Sequence, residues 1–101
     1  MIYACDTPYF QPPDNDARYL IWGDEPGEAH AAIWAAGHDP DAVRRWELNA
    51  WEAYAVPAAA YAAIVALGAT VTDKFGPAVW CATRDGDERK LAALHAARRR
   101  L

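Results

Sequence analysis

Two cysteines are the first side chains in this sequence to consider for chemistry, since a thiolate can act as a nucleophile or as a metal ligand. Cys5 and Cys81 are separated by most of the chain, so they form neither a CxxC redox motif nor a zinc-binding spacing. Cys81 lies in the apolar run AVWCAT, and Cys5 precedes Asp6, whose carboxylate disfavours a thiolate. We therefore predict two free, buried thiols. A serine nucleophile is excluded, because the sequence contains no Ser.

The three histidines do not form a recognisable metal motif. His30, His38 and His95 show none of the HxH, HxxxH or HExxH spacings that place two imidazoles on one face of an element. Residues 85–88, DGDE, resemble part of a calcium loop, but the other ligands of the twelve-residue pattern are missing. This acidic run fits the N-terminus of a helix better. We expect no metal site and no cofactor.

Glu52 is the candidate for acid–base chemistry. It is a lone charge among the alternating apolar residues that a half-buried strand would turn towards the core. If it pointed inward, it could serve as a general base or a ligand anchor in a pocket lined by Trp46, Trp51 and Tyr54. This arrangement defines one functional hypothesis, a small-molecule-binding or enzymatic α+β domain.

Acidic residues are concentrated in the first part of the chain, and they suggest a different hypothesis. Between residues 1 and 43 eight carboxylates accompany a single cation, Arg18, while the whole chain has a net charge of −4. Clusters of one sign steer association with a surface of the opposite sign. The predicted docking residues are Asp24, Glu25, Glu28, Asp39 and Asp41.

Aromatic residues are the second sign of a binding surface. Five Trp and five Tyr exceed what a core of this size usually needs, and both types are enriched at the energetic centres of protein interfaces. Trp34, on the flank of the first predicted helix, is the best candidate for an interface anchor. Tyr9 and Phe10, in a Pro-rich loop, are the second candidates.

The chain has one basic cluster, residues 98–100, RRR. It follows the last predicted helix, where arginines complement the negative end of the helix dipole. The net charge is negative and no aromatic residues alternate with these arginines, so we do not expect direct binding to DNA or RNA.

The elements that must position these residues follow from apolar periodicity and from Gly and Pro punctuation. The predicted elements are a strand at Ile2–Cys5, a strand at Arg18–Trp22, a helix from the N-cap Asp24 to Ala36, a helix at Pro57–Leu67 ended by Gly68, a hairpin of strands Ala69–Thr72 and Ala78–Thr83, and a helix at Gly86–Arg100 with Asp85 and Glu88 in capping-box spacing. The helix after Pro57 has almost no polar face and must therefore be buried.

The segment between His38 and Val56 fits two patterns. Val43, Trp46 and Ala50 agree with a helical stripe, whereas alternation of apolar residues agrees with a strand. We favour two short strands with a turn near Asn49. Pro57 supports this choice, because a proline directly after a strand suits the start of a new helix.

This order of elements predicts a single α+β domain over residues 1–101. We expect a two-layer sandwich in which about three helices cover one face of a mostly antiparallel sheet of four or five strands. The part between Arg18 and Thr83 agrees with a ferredoxin-like βαββαβ order. The alternative is a mainly helical domain with a small hairpin.

The favoured function is that of a small non-enzymatic regulator or inhibitor that binds another protein, one with a basic surface, or a further copy of itself. A phage-type anti-defence protein with an acidic docking face is one specific form of this hypothesis. The uncharged run from Ala53 to Thr72 is about as long as a membrane span, but Pro57 and Gly68 divide it, so we expect no membrane association. The first ten residues lack the pattern of a signal peptide, and a cytoplasmic location is expected.

Overall fold

The computed structural model describes residues 1–9, 18–48 and 51–100, and for residues 46–48 and 51 it describes the backbone only. The strands in these ranges are β1 (Ile2–Asp6), β2 (Tyr19–Gly23), β3 (Arg44–Leu48), β4 (Trp51–Ala55) and β5 (Thr70–Thr72). The helices are α1 (Glu28–Ala35), α2 (Ala58–Ala66), α3 (Gly76–Asp85) and α4 (Glu88–Arg99), with a short 3-10 helix at Pro40–Ala42.

The strands form one mixed sheet in the order β3-β4-β2-β1-β5. Three neighbouring pairs are antiparallel, and only β1 and β5 are parallel. The elements from β2 to β5 follow a βαββαβ order, with β4 between β2 and β3 as in a ferredoxin-like domain. The N-terminal strand β1 is inserted between β2 and β5. The predicted α+β class with a mostly antiparallel sheet is confirmed.

One face of the sheet packs against α1 and α2. Ala4 and Ile21 from the sheet contact a buried group that includes Ile33 from α1 and Ile64 from α2. The two helices are rich in alanine, so their backbones approach the sheet closely, and each fully buried isoleucine contributes about 2–3 kcal/mol. Gly68 adopts a φ of 105° and ends α2, which the sequence predicted.

The opposite face packs against α3. Cys5, Leu20 and Trp22 from the sheet contact Cys81 of α3, and α3 then forms a separate small core with α4 around Phe75 and Leu94. Helices therefore lie on both faces of the sheet, whereas the sequence predicted them on one. The sequence also indicated that β2 is buried on both sides, and Leu20, Ile21 and Trp22 are each at most 1% exposed.

The predicted strand at Ala78–Thr83 is wrong, because these residues belong to α3. Ala78, Cys81 and Ala82 are buried at helical spacing, and Pro77 occupies the first turn, where the missing N–H of proline has no cost. The predicted hairpin with Ala69–Thr72 is therefore also wrong. Strand β5 pairs instead with β1, in parallel.

Two predicted caps differ from the structure. Gly27, with a φ of 88°, is the N-cap of α1, so the helix begins later than a cap at Asp24 would require. In α4 the N-cap is Asp87, whose side chain accepts a hydrogen bond from the Lys90 N–H, and not Asp85. Gly86, in the left-handed region, ends α3 and separates the two helices.

The ambiguous segment is extended, as favoured: β3 and β4 pair as neighbours, after the 3-10 helix at Pro40–Ala42. The turn expected near Asn49 lies outside the described residues. Pro57 directly precedes α2, as its position after a strand indicated. Across the described ranges, no helix combines the length and apolarity needed to cross a membrane.

Candidate functional site

Helix α1 presents an exposed tryptophan, and three other segments contribute acidic residues that lie near His30 or near the start of this helix. This surface, called here the α1 face, consists of Glu25, His30, Trp34, Asp39, Asp41 and Glu52. Trp34 is 68% exposed, which is unusual for so large an apolar side chain. Its position is one helical turn after His30, so the two side chains lie on the same side of α1.

His30 joins α1 to the other parts of this face. Its Nε2 lies 3.8 Å from Oδ1 of Asp41, and its ring makes an edge contact with Tyr54, at 6.5 Å between ring centroids. The Asp39 carboxylate accepts a hydrogen bond from the Asp41 N–H and fixes the start of the 3-10 helix. The contact between His30 and Asp41 thus joins the 3-10 helix to the side of α1 that carries Trp34.

A cleft of about 440 Å³ extends the α1 face towards β4. Glu25 from the β2–α1 loop and Glu52 and Tyr54 from β4 line it. Burial raises the pKa of Tyr54, and the negative charge of Glu52 raises it further, while Arg45 on the neighbouring strand opposes the shift. The face therefore combines several carboxylates with one nearby guanidinium.

Glu52 is exposed in this cleft. An exposed carboxylate lacks the desolvation that an interior general base requires, so the enzymatic hypothesis loses the residue on which it rested. Tyr54 is buried beside it, while the side chains of Trp46 and Trp51 lie outside the described part of the chain. Within the residues that the structure describes, no group of three or more His, Cys, Asp or Glu side chains could hold a metal ion.

Two of the predicted docking carboxylates point elsewhere. Glu28 accepts a hydrogen bond at 2.7 Å from the N-terminal ammonium group of Met1, and its other oxygen accepts one from the Glu25 N–H. Asp24 faces the side of the sheet that packs against α3. These two residues therefore hold the chain end and the β2–α1 loop in place and do not form part of the α1 face.

Asp24 is the centre of a hydrogen-bond network that local sequence patterns do not reveal. Its Oδ1 accepts hydrogen bonds from the Trp80 Nε1–H at 3.1 Å and from Arg84 Nη2 at 2.6 Å. The Tyr3 hydroxyl donates to the same carboxylate at 3.0 Å. Burial alone would raise the pKa of Asp24, but the hydrogen bonds from Trp80, Tyr3 and Arg84 outweigh it and hold the pKa below its usual value.

The variant Asp24→Asn should lower the free energy of unfolding at pH 7 by about 2 kcal/mol, because several donors lose a charged acceptor. A lowered native-state pKa stabilises the fold above the unfolded pKa of about 3.9 and ceases to do so as the pH falls through the native value. The difference between wild type and variant should therefore shrink below about pH 4. Urea denaturation at several pH values measures it. Asp41→Asn, at a side chain 76% exposed, is the control and should have little effect.

Tyr9 and Phe10 were the second candidates for an interface. Tyr9 is 56% exposed, but its ring stacks on Phe75, at 4.9 Å between centroids, and its N–H bonds to the carbonyl of Lys74. It therefore ties the segment after β1 to the start of α3. Phe10 lies outside the described residues.

Both cysteines are free and buried, as predicted. Burial raises the pKa of each thiol to about 11, and the nearby Asp73 carboxylate adds to the shift at Cys5. Neither thiol is a thiolate near neutral pH, so both act as core residues.

A second, larger cleft of about 690 Å³ lies between the sheet and α3. This α3 cleft is lined by Tyr3 and Trp22 from the sheet, Asp24 from the β2–α1 loop, Trp80 and Arg84 from α3, and Arg98 from α4, among others. Sequence patterns do not reveal this cleft, because its residues are far apart in the chain and the α3 segment is predicted as a strand.

Comparison with known proteins gives no relative for this chain. It matches no protein-family model, no curated protein and no solved structure.

Proposed function

We propose that this chain is a non-enzymatic protein that binds another protein through the α1 face, and that the partner presents a basic surface with an apolar pocket for Trp34. The observation that carries the proposal is the 68% exposure of Trp34 on a helix whose His30, one turn earlier, lies beside the Asp41 carboxylate. An indole of this size in water is unfavourable for an isolated domain, and tryptophan is the residue type most enriched at the centres of interfaces.

The two kinds of residue on this face have different roles in the proposed complex. Burial of Trp34 in a partner's pocket supplies affinity, because it removes a large apolar area from water. The carboxylates of Asp39 and Asp41 steer the encounter with a positive surface and lose much of their influence at high salt. The expected complex therefore depends on Trp34 for its lifetime and on ionic strength for its rate of formation.

An inhibitor of the phage anti-defence kind, with an acidic face that imitates nucleic acid, is a special case of this proposal. It is supported by the small size of the chain and its net charge of −4. Self-association through Trp34 is the competing arrangement. Light scattering after size exclusion separates the two, since a dimer formed through this face should dissociate in Trp34→Ala.

The variant Trp34→Ala should abolish capture of the partner while leaving the fold intact. Wild type, Trp34→Ala and the charge variant Asp39→Asn/Asp41→Asn are immobilised and exposed to an extract of the native host. The control is Leu67→Ala, which removes a similarly exposed apolar side chain, 65% accessible, from the end of α2. A protein retained by wild type and by Leu67→Ala, lost from Trp34→Ala and released by salt, would support the proposal.

The retained protein is then titrated against purified variants by calorimetry. Trp34→Ala should weaken binding by about 2 kcal/mol or more, roughly thirtyfold. The proposal fails if wild type is monomeric and retains nothing, or if Trp34→Ala retains the same protein with unchanged affinity.

A further inference from the structure

We propose that the α3 cleft binds a small planar molecule that carries a carbonyl or carboxylate acceptor. Its volume of about 690 Å³ falls within the range of small-molecule sites, and it lies on the face of the sheet opposite to α1. It shares no residue with the α1 face. The proposal therefore goes beyond protein binding and concerns a separate site.

A buried hydrogen-bond donor without a partner carries this inference. Among the described residues, two buried side-chain nitrogen atoms have no hydrogen-bond partner, Nε1 of Trp22 and Nε of Arg98. Both residues line the α3 cleft. Nε of Arg98 lies 2.7 Å from Oδ2 of Asp73, and Nη2 of Arg98 donates to Oδ1, so Arg98 is already held in an ion pair and the inference rests on Trp22.

The indole N–H of Trp22 is the donor on which the inference rests. Its side chain is 1% exposed, and a buried donor without a partner is unusual in a folded protein. An indole nitrogen can only donate. A ligand that forms a hydrogen bond with this N–H must therefore contain an acceptor atom.

The two carboxylates that line the cleft, Asp24 and Asp73, are already engaged. The Asp24 carboxylate receives hydrogen bonds from Tyr3, Trp80 and Arg84, and Oδ1 of Asp73 receives them from the Phe75 N–H and from Arg98. A ligand that offers only donors would have to break these bonds. A ligand that offers an acceptor can use the Trp22 N–H without disturbing them.

Aromatic walls favour a flat ligand. Tyr3 stacks on Trp22, with 5.5 Å between centroids and 21° between planes. On the opposite wall, the Arg84 guanidinium lies 4.8 Å from the centre of the Trp80 ring. A planar ring system with an acceptor at one edge fits these features.

The test uses NMR of the uniformly ¹⁵N-labelled full chain, in which each tryptophan gives a resolvable indole N–H signal. Three probes share one ring system: 2-naphthoate and 2-naphthamide carry an acceptor, with and without charge, whereas 2-naphthylmethylammonium carries none. Each is titrated to about 5 mM, since molecules of this size bind with a Kd on the order of 1 mM. The exposed indole of Trp34 is the internal reference.

We expect the naphthoate and the naphthamide to shift the Trp22 indole signal downfield and the ammonium probe to leave it unchanged. Preference for the naphthoate would identify carboxylates as the ligand class, and equal binding would identify neutral carbonyl compounds. Trp22→Phe, which keeps an aromatic ring but removes the N–H, should weaken binding by about tenfold, while the matched Trp34→Phe should not change it.

Three results would overturn the proposal: equal binding of the ammonium probe, binding without a shift of the Trp22 signal in the wild-type chain, or no saturable binding of any probe. The wild-type shift keeps the test decisive even if Trp22→Phe folds poorly. Failure of this site would leave the protein-binding proposal intact, because Trp34 is tested separately.

Discussion

Replacement of Trp22 by alanine should lower the free energy of unfolding by about 3–5 kcal/mol, whereas Trp34→Ala should change it by less than about 0.5 kcal/mol. Trp22 is 1% exposed and packs between the sheet and α3 with Cys5, Leu20 and Cys81. Its removal leaves a cavity that rigid strands on both sides cannot close. Trp34 is 68% exposed, so its truncation removes few buried contacts and changes the free energy of unfolding little.

Urea denaturation followed by circular dichroism measures both variants, because tryptophan fluorescence would itself change with the substitution. The midpoint should fall strongly for Trp22→Ala with an unchanged slope and remain near the wild-type value for Trp34→Ala. Similar losses for the two variants would mean that Trp34 is part of the core, and the protein-binding proposal would lose its basis.

The different environments of these two tryptophans follow from local sequence. Trp22 ends a near-continuous apolar run, RYLIW, which predicts a strand buried on both faces. Trp34 lies beside the narrow apolar stripe of α1, so it faces away from the sheet. Periodicity therefore identifies both positions, because burial in each case is decided within a few residues of the tryptophan.

The α3 segment shows where local reasoning fails. Residues 78–83, AVWCAT, contain β-branched and aromatic residues that favour a strand, yet the segment is helical. Pro57 marks the start of a helix, as predicted, and Pro77 marks one in the same way. The β-prone run that follows Pro77 nonetheless favours a strand in the sequence. Packing of Cys81 against the sheet and of Ala82 against α4 favours the helix, and neither contact is visible in a short window of sequence.

The network around Asp24 was beyond prediction for a different reason. Its partners Tyr3, Trp80 and Arg84 are 21, 56 and 60 residues away in the chain. The sequence already accounts for Asp24 as the N-cap of a helix, so nothing in it indicates that the carboxylate bonds to distant residues. Only the fold, with α3 on the second face of the sheet, brings these donors to one carboxylate.

The variant Gly76→Ala should lower the free energy of unfolding by about 2–3 kcal/mol, although alanine is the better helix former. Gly76 begins α3, where its backbone is compatible with any residue, so alanine would otherwise stabilise by up to about 1 kcal/mol. A Cβ at this position would lie 2.5 Å from Cβ of Thr72, closer than carbon atoms can approach. Because Thr72 belongs to β5, relief requires α3 to move away from the sheet.

Denaturation of a double-mutant set separates this clash from other effects of the substitution. Thr72→Gly removes the obstructing side chain and should itself cost about 1 kcal/mol in a strand. The double variant Thr72→Gly/Gly76→Ala should then be at least about 1 kcal/mol more stable than the sum of the single changes predicts. The control Gly27→Ala places a Cβ in open space and should show only the moderate cost of a positive φ, here 88°. If Gly76→Ala were as stable as wild type, α3 could not pack against β5 as closely as the structure shows. The positions of the α3 residues that line the α3 cleft would then also be wrong.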